Sequence, residues 1–475
     1  MERPPNILLI TTDQQRHDAI GYAGDGVLRT ANLDALAGNG MRFSRAYVTC
    51  PVCIPARRTL LSGLHPDSHG LIAYQDGKDF DPPQTLPGCL TAAGYQTQLI
   101  GKMHLHPQGK RYGFDNIVLS EAPSYRPDSV VQTRNAYVEW LREEGIKTDP
   151  GLHGLDSSSR LARPALLPEE YHHSTWVVRE ATDFLLKHRD PTCPWFMHLS
   201  FVAPHPPLNP PQAYWNRYVG RTPDRPIGEW ARDLENPEVQ FNPSSATGPF
   251  DPEEMRLATA GYYGLIHHID DLVAHLLSRY FEYGSARSRD PLYIVFSSDH
   301  GEMLGDHHLF RKSLGYEASA HVPLFISGRN VPLASGRCDE FATWEDIMPT
   351  LLDLAGVPIP EGLDGVSLAP AVRGEPLRTR ESVYGMCYGS HSNHFLVHGD
   401  WKYIWFPKTG EEQVFNLAED PREMRDLSST EPEILADLRD RMEPRVANTP
   451  GAQPYDRARL TPCANRAPKV FWPQP

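Results

Sequence analysis

The sequence of 475 residues has few cysteines, no long apolar run and a shortage of positive charge. Seven cysteines are too few for a disulfide framework in so long a chain, and an odd number fits reduced thiols better. The first apolar segment, NILLI at residues 6–10, is too short to cross a membrane and leaves no room for a signal peptide. These features predict a soluble, cytoplasmic protein without a membrane partner.

Acidic residues outnumber basic residues, which gives a formal net charge of −14. This charge argues against nucleic acid as a partner, because proteins that bind nucleic acids carry basic surfaces. A small anionic substrate would need local Arg, Lys and His side chains to overcome the overall field. A homo-oligomer is compatible with this composition.

Short apolar segments that resemble strands alternate with segments of helical spacing along most of the chain. This alternation predicts an α/β fold with a large, mostly parallel mixed sheet flanked by helices. Four of the strand-like segments run into polar residues, at Asp13, Lys102, His205 and Asp299. Because ligands bind beyond the carboxyl ends of the strands in such sheets, these ends predict one functional site.

The pattern changes near residue 375. Residues 1–375 form the predicted main domain, with loop-rich insertions near 105–170 and 205–255. Residues 376–475 contain short, closely spaced strand candidates, which predict a small antiparallel sheet. A helix and a proline-rich tail follow, and the tail is expected to run over the surface.

Asp299 and His300 follow an apolar strand in FSSDHGE, and Asp13 ends another strand. Singly, Asp299 fits a helix cap and His300 fits a packed core histidine. Together with Asp13 they favour a divalent-cation site. Oxygen ligands suit Ca²⁺, Mg²⁺ or Mn²⁺, while the imidazole shifts the preference towards Mn²⁺ or Zn²⁺.

Three basic residues, Arg57, Lys102 and Lys312, each lie near a predicted strand end or turn. Taken one at a time, they fit solvated surface charge, which is the usual place of Lys and Arg. If they converge, they would bind an anion that has several negative oxygens.

The stretch TCPVCIPARRTLLSGL, residues 49–64, places two cysteines three residues apart at the start of a helical run. A structural zinc site would need a second pair of ligands, and a thioredoxin-like pair would need a small redox fold. A thiolate activated by the helix dipole is chemically sound, but it does not account for Pro55 and Arg57.

The run CIPAR followed by RTLLSG resembles the sulfatase signature C-x-P-x-R. Further matches occur in the order of the family, at LLITTDQQRHD, LIGKMHL, PHPP, FSSDHGEMLGDHHLFRKSLGYE and the C-terminal WKYIWFP and EQVFNL. The chain is thus similar to formylglycine-dependent sulfatases of the alkaline phosphatase superfamily. The resemblance implies an alkaline phosphatase-like fold.

The resemblance also implies a modified residue and a metal. A formylglycine-generating enzyme would oxidise Cys53 to Cα-formylglycine. One divalent cation, preferably Ca²⁺ with Mn²⁺ or Mg²⁺ as alternatives, would be held by a set that includes the modified residue. That set is Asp13, Gln14, Cys53, Asp299 and His300.

The implied reaction is hydrolysis of a small sulfate ester, either a sulfated sugar or an aryl or alkyl sulfate. One hydroxyl of the hydrated formylglycine at residue 53 would attack, and Arg57 would orient it. Lys102 and Lys312 would neutralise charge on the transferring group, and Lys312 or His205 would protonate the leaving alcohol. His104 would then take a proton from the second hydroxyl, so that sulfate leaves and the aldehyde returns.

Two residue pairs depart from the commonest family pattern. Asp13-Gln14 stands where many sulfatases have Asp-Asp, and Asp299-His300 stands where many have Asp-Asn. Both variants resemble choline sulfatases and phosphonate monoester hydrolases, and the run C-x-x-C-x-P-A-R resembles the latter. A phosphonate monoester or phosphodiester hydrolase that uses the same site, or an enzyme promiscuous for both, is therefore the alternative.

Two more distant alternatives make distinct demands on the sequence. A phosphatase with two cations would need further ligands, for which Asp306, His307 and His308 are available, although their spacing equally fits a solvated turn. A binding protein without catalytic activity would require Cys53 to stay unmodified.

Overall fold

The structure is a computed structural model that describes residues 3–121, 135–147, 154–224, 228, 242–282, 290–389 and 391–462. Its strands form one sheet of eight and a second sheet of five. The strands are β1 Asn6–Asp13, β2 Met41–Tyr47, β3 Gln96–Gly101, β4 Asn116–Leu119, β5 Trp195–Pro204, β6 Leu292–Ser298, β7 Leu324–Arg329, β8 Gly336–Thr343, β9 Ser382–Cys387, β10 Asn393–His398, β11 Trp401–Phe406, β12 Glu411–Asn416 and β13 Thr461–Pro462.

Twelve α-helices connect and cover these strands in the described part of the chain. They are α1 Ala31–Gly38, α2 Cys53–Ser62, α3 Pro66–His69, α4 Leu86–Ala92, α5 Ala136–Glu143, α6 His173–Asp183, α7 Gln212–Tyr218, α8 Pro252–Glu282, α9 Glu317–Ala320, α10 Ile347–Leu354, α11 Ala369–Arg373 and α12 Pro432–Ala447. A π-helical turn, Phe184–His188, continues α6, and 3₁₀ turns occupy Glu169–Tyr171, Asp306–His308, Trp344–Asp346 and Arg457–Arg459.

The larger sheet has the strand order β4-β3-β5-β1-β6-β7-β2-β8. β1 lies near its centre and pairs in parallel with β5 and β6. β7 is antiparallel to both of its neighbours, β6 and β2. The sheet is therefore mixed but mostly parallel, which confirms the predicted fold class.

Helices cover both faces of this sheet, because its central strands are apolar on both sides. Leu8 and Ile10 of β1 pack into a core with α5, α6 and α8. Ile7 and Leu9 of the same strand pack into a second core with α2, α4, α10 and α11. All eight residues of β1 are buried, so its polar end, Asp13, is carried into the interior.

The second sheet has the order β13-β12-β11-β10-β9 and is antiparallel except where β12 meets β13. It matches the small C-terminal sheet that the sequence predicts. The described part of the tail, residues 448–462, runs over the surface as predicted, since most of its residues are exposed. Thr461 and Pro462 pair with β12, and the Tyr455 ring packs 4.7 Å from the Trp405 ring. These contacts attach the exposed tail to the second sheet.

The predicted division near residue 375 lies between the end of α11 at Arg373 and the start of β9 at Ser382. The two-domain organisation itself stays a prediction. Parts of both predicted insertions, and residues 463–475 of the tail, lie outside the described residues. In the described ranges, no helix combines the length and apolarity that crossing a membrane requires.

Candidate active site

The ends of β1 and β6 place two carboxylates side by side. The strands pair in parallel register, so that Asp13 at the end of β1 lies beside Asp299, which follows β6. The backbone N–H of Gln14 donates to Asp299 Oδ1 over 3.1 Å. Gln14 has a φ of 74°, in the left-handed region, which turns the chain immediately after the strand.

Helix α2 presents Cys53 to these carboxylates at its first position. All ten residues of the helix are buried, so the dipole at its N-terminus acts in a region of low dielectric constant. Pro55 lies in the first turn, where its missing N–H leaves no hydrogen bond of the helix unmade. Arg57 comes four residues after Cys53 and therefore lies on the same face.

Arg57 is buried and its guanidinium ties several elements together. Nε donates to Asp299 Oδ2 over 2.9 Å. Nη1 donates to the Lys102 carbonyl over 2.9 Å and to Ser200 Oγ over 3.0 Å. Nη2 lies 3.7 Å from Asp13 Oδ2. The planar guanidinium thus orients both carboxylates, which a lysine could not do in the same way.

The Lys102 side chain, directly after β3, extends to the Asp13 carboxylate. Gly101 allows β3 and β5 to approach closely enough for this contact. Gly101 has a φ of 102°, and a Cβ there would lie 1.9 Å from the Ser200 carbonyl oxygen. Only glycine fits between β3 and β5 at this point. The Lys102 ammonium, which is buried, then hydrogen-bonds the Asp13 carboxylate.

Cys53 Sγ lies among charged groups. Lys312 Nζ and His300 Nε2 are each 3.2 Å away, and Asp13 Oδ1 is 3.8 Å away. Burial and Asp13 would raise the pKa of the Cys53 thiol, but Lys312, Lys102 and His300 outweigh them and hold it well below its usual value. The site therefore stabilises a negative charge on residue 53.

Asp13, Cys53, Asp299 and His300 form a possible cation site, with their ligand atoms all within 4.8 Å of one another. The pKa of Asp13 is well below its usual value, because Lys102 and His205 outweigh burial. His300 Nδ1 lies 2.9 Å from the Gly301 carbonyl, which can only accept a hydrogen bond. Nδ1 therefore carries a proton and Nε2 faces the carboxylates. Asp299 raises the pKa of this ring against the effect of burial, so a cation bound at Nε2 would replace the second proton.

Gln14 adds an amide oxygen to this donor set. Its Oε1 accepts a 2.6 Å hydrogen bond from Lys312 Nζ, and its Nε2 donates to the Glu302 carboxylate. The contact with Glu302 fixes which end of the amide faces Lys312. Two carboxylates, an amide oxygen and an imidazole nitrogen suit a hard divalent cation, so the residues fit the metal that the sequence predicts.

His205 interacts electrostatically with Asp13 and Lys312, and His104 follows Lys102 by two residues. Burial and Lys312 lower the pKa of His205 to about 3, so its ring is neutral at neutral pH. Its Nδ1 lies 2.8 Å from the Pro206 carbonyl. His104 has a φ of 56°, and its N–H donates to Glu121 Oε2 over 2.8 Å. Its ring lies 6.0 Å from the ring of Tyr74, which is 52% exposed.

Two residues of the site are missing from the sequence prediction. Ser200 binds Arg57, and Glu302 orients Gln14. Glu302 stands within FSSDHGE, three residues after Asp299, so its carboxylate was a visible signal. Ser200 lies inside β5 and carries no comparable signal.

A phosphatase with two cations would need Asp306, His307 and His308 as further ligands. The Asp306 carboxylate accepts a 2.7 Å hydrogen bond from Arg16 Nη2, and both side chains are buried. Burial lowers the pKa of His307 to about 4. The ion pair already occupies Asp306, which favours a single cation at the Cys53 site.

Comparison with known families agrees with this geometry. A family model described as Sulfatase matches residues 5–357. The chain belongs to the sulfatase family. A second model, described as N-sulphoglucosamine sulphohydrolase, C-terminal, matches residues 305–448 of this sulfatase. The family predicted from the sequence is therefore confirmed.

Individual relatives span nearly the whole sulfatase chain. An arylsulfatase of Clostridium perfringens is 38% identical over 442 residues, which cover 90% of this chain and 91% of the relative. A choline-sulfatase of Rhizobium meliloti is 29% identical and covers 89% of this chain and 82% of its own. These relatives support the conclusion that this protein is an enzyme of the sulfatase type.

Solved structures agree at the level of the fold. The phosphonate monoester hydrolase of Agrobacterium radiobacter superposes with a TM-score of 0.75 at 23% identity, covering 94% of this chain and 95% of that chain. This similarity confirms the alkaline phosphatase-like fold.

Proposed function

We propose that this sulfatase hydrolyses small sulfate monoesters with a Cα-formylglycine formed from Cys53. Hydrated formylglycine supplies a hydroxyl that attacks sulfur and a second hydroxyl whose deprotonation expels sulfate. The observation that carries the proposal is the position of Cys53 Sγ at the start of α2. Two cationic or imidazole groups lie 3.2 Å from it, and Asp13 lies 3.8 Å away.

The divalent cation would be held by Asp13, Gln14, Asp299, His300 and the modified residue 53. When bound, it would act as a Lewis acid on the sulfate oxygens and lower the pKa of a neighbouring hydroxyl. The oxygen-rich donor set favours Ca²⁺, with Mn²⁺ or Mg²⁺ as alternatives. The bonds from Arg57 to Asp299 and from Glu302 to Gln14 keep this set in place.

The basic residues provide positioning and charge. Arg57 is fixed by four partners and orients the nucleophile from one turn along the helix. Lys102 and Lys312 compensate the negative charge that the substrate brings into a chain of net charge −14. Both contact residues of the centre directly, Lys102 at Asp13 and Lys312 at Gln14.

Lys312 is the better donor of a proton to the leaving alcohol. The alternative, His205, has a pKa of about 3 through burial and the charge of Lys312, so at neutral pH it lacks the second proton that an imidazolium would donate. Lys312 Nζ lies 3.2 Å from the nucleophilic position, close enough to reach a substrate oxygen there. His205 then binds substrate as a neutral imidazole.

His104 is the proposed base that acts on the second hydroxyl. Its Nδ1 is buried and finds no hydrogen-bond partner among the described residues. The bond from its backbone N–H to Glu121 holds its left-handed conformation. An imidazole that is positioned by its backbone and free at a ring nitrogen is suited to accept a proton.

Hydrolysis of phosphonate monoesters or phosphodiesters at the same site is the second candidate. The fold of the Agrobacterium radiobacter phosphonate monoester hydrolase covers 94% of this chain, and both substrates are tetrahedral anions. A site that acts mainly through charge and position does not distinguish strongly between them.

Turnover of three substrate classes tests both candidates. Fully converted protein should be assayed with an aryl sulfate, an aryl phosphonate monoester and a panel of sulfated sugars, with Cys53→Ser as the control. The proposal expects the highest kcat/KM on a sulfate ester and loss of turnover in the variant. A higher kcat/KM on the phosphonate would favour the second candidate, and equal activity of Cys53→Ser would contradict both.

A further inference from the structure

A second group of metal-ligating side chains lies outside the Cys53 centre. His17 follows β1 by four residues, Glu317 begins α9, and His321 directly follows α9. One ligand atom from each of the three lies within 4.8 Å of the others. Two imidazoles and one carboxylate form a common protein ligand set for Zn²⁺.

Glu317, at the start of α9, and His321, directly after its end, are close enough to bind one ion together. Glu317 and His321 are four residues apart, so they lie on the same side of one helical turn. His321 Nδ1 lies 2.7 Å from Glu317 Oε2. The turn is anchored on β2, because the Val48 N–H donates to the Ala320 carbonyl over 2.9 Å and Tyr47 forms a β-bridge with His321.

The carboxylate of Glu317 is oriented by partners behind it. Its Oε1 accepts a 2.6 Å hydrogen bond from Lys402 Nζ, and its backbone N–H donates to Glu423 Oε2 over 2.8 Å. Burial would raise the pKa of Glu317, but Lys402 and His321 hold it well below its usual value. One oxygen is thus fixed by Lys402, while Oε2 faces the histidines as an ionised ligand.

His17 supplies a neutral ring with a ring nitrogen that lacks a partner. Its Nδ1 is buried and has no hydrogen-bond partner among the described residues. Burial and His321 lower the pKa of His17 to about 4, which leaves the ring free of the second proton that would block ligation. A buried polar atom without a partner needs an explanation, and a bound cation provides one.

The two imidazoles stack in parallel, with 4.1 Å between centroids and 5° between planes. A cation bound in the plane of both rings requires one ring to rotate about its side-chain bonds. His17 and His321 are both partly exposed, which allows this rotation and gives a hydrated cation access from solvent. Binding of a cation would therefore separate the stacked rings.

We propose that His17, Glu317 and His321 form a second divalent-cation site for a borderline transition-metal ion, with Zn²⁺ as the best match. The two imidazoles select against Ca²⁺, which prefers oxygen ligands. A bound ion would join the segment after β1 to α9, and through Lys402 to β11 of the C-terminal sheet. Its effect would be on stability, and it does not depend on the reaction at Cys53.

Zn²⁺ titration of the full-length protein tests this site. Protein treated with a chelator and then saturated with Ca²⁺ should be titrated with Zn²⁺ by calorimetry. His17→Phe keeps an aromatic ring against His321 but removes the ligand nitrogen, whereas His17→Asp replaces it with a carboxylate. His398→Ala, in β10, serves as the matched control. We expect His17→Phe to bind one fewer Zn²⁺ per chain than wild type. His17→Asp and the control should bind as many Zn²⁺ ions as wild type.

Thermal unfolding gives a readout that does not depend on counting ions. Zn²⁺ should raise the Tm of wild type and of His398→Ala, and it should leave the Tm of His17→Phe unchanged. His321→Ala should weaken Zn²⁺ binding by at least about 10- to 100-fold. Equal Zn²⁺ stoichiometry in wild type, His17→Phe and His321→Ala would overturn the proposal, as would a Tm shift that persists in both variants.

Discussion

Residue 53 occupies a position whose surroundings suit an anionic oxygen better than a structural thiol. Lys312, Lys102 and His300 favour negative charge there against the effect of burial. An ordinary buried cysteine sits among apolar groups and is inert, as Cys50 is beside Val52 and Cys387. The difference between two cysteines three residues apart therefore comes from their neighbours.

The first prediction is that Cys53 is converted to formylglycine when the chain is produced with a formylglycine-generating enzyme. Mass spectrometry of the peptide that contains residue 53 should show the aldehyde in place of the thiol, while Cys50 in the same peptide stays a thiol. Activity should rise in proportion to conversion. Active enzyme that contains only the thiol at residue 53 would contradict the proposed reaction.

The second prediction concerns Lys312 as the proton donor to the leaving alcohol. Lys312→Ala should lose about 10²- to 10⁴-fold in rate on alkyl or sugar sulfates, the range that general acid catalysis contributes. With a nitrophenyl sulfate the loss should be much smaller, because that alcohol departs without a proton. Steady-state kinetics across a series of leaving groups measures the difference. Equal losses on all substrates would show that Lys312 only binds the anion.

The third prediction assigns His104 to the second half-reaction. His104→Ala should slow every substrate to one common rate and give a burst of released alcohol, because sulfate release becomes limiting. Rapid-quench measurement of the first turnover detects such a burst. The assignment fails if the variant shows no burst and its losses follow the quality of the leaving group.

At the scale of elements, the site exists because several strand ends meet one helix start. β1 and β6 bring Asp13 and Asp299 together, and α2 adds Cys53 and Arg57. These placements were predictable, since polar residues that end apolar strands in an α/β sheet must share its carboxyl edge. The resemblance to the sulfatase motif C-x-P-x-R singled out Cys53 and Arg57 at the start of this helix.

The partners that hold these side chains were not predictable from the sequence. Arg57 and Ser200 are 143 residues apart in the chain, and their contact depends on the position of β5 beside β1. The contact between Tyr455 in the tail and Trp405 in β11 was not predictable either, because the two residues are distant in the sequence. Local patterns determine which elements form, whereas contacts between distant elements follow from the register of the sheet.

The fourth prediction tests the pair of strand ends as the cation site. Asp13→Asn and Asp299→Asn keep the side-chain size but remove a ligand charge, so each should lower cation affinity by about 10- to 100-fold or more and abolish activity. Atomic absorption of dialysed protein measures the bound metal. Asp79→Asn, at a carboxylate that is 79% exposed, is the control and should keep full occupancy. Full occupancy in both site variants would mean that other residues bind the metal.

At the scale of the whole molecule, many buried and half-buried histidines are neutral. Burial lowers the pKa of each of these to about 3 or 4, and they are His17, His69, His172, His173, His198, His205, His307 and His394. Burial acts oppositely on carboxyl groups, raising the pKa of Asp270 to about 6 and that of Glu423 to about 7. Burial also raises the pKa of Asp299, Glu302, Asp426, Glu169 and Glu180. The eight histidines outnumber these seven carboxyl groups, so we expect them to dominate the change in stability in mild acid.

The fifth prediction is that the free energy of unfolding falls as the pH drops below about 6.5. Above the pKa of an unfolded histidine both states are neutral, and below it only the unfolded chain takes up protons. Each buried histidine then destabilises the fold by about 1.4 kcal/mol per pH unit, until the pH reaches its folded pKa. Asp270 and Glu423 oppose this trend, because the folded state holds their protons more tightly than the unfolded chain does.

His394 allows a single contribution to be isolated. It is fully buried in β10, and its two ring nitrogens lie 2.8 Å from the hydroxyls of Tyr384 and Tyr388. His394→Gln keeps a polar side chain without a group that titrates, so its stability should fall less steeply between pH 6.5 and 5, by about 1.4 kcal/mol per pH unit. His398→Gln, at a partly exposed position of the same strand, should keep the slope of wild type. Urea unfolding at several pH values measures these slopes, and identical slopes for His394→Gln and wild type would refute the neutral, buried state of this ring.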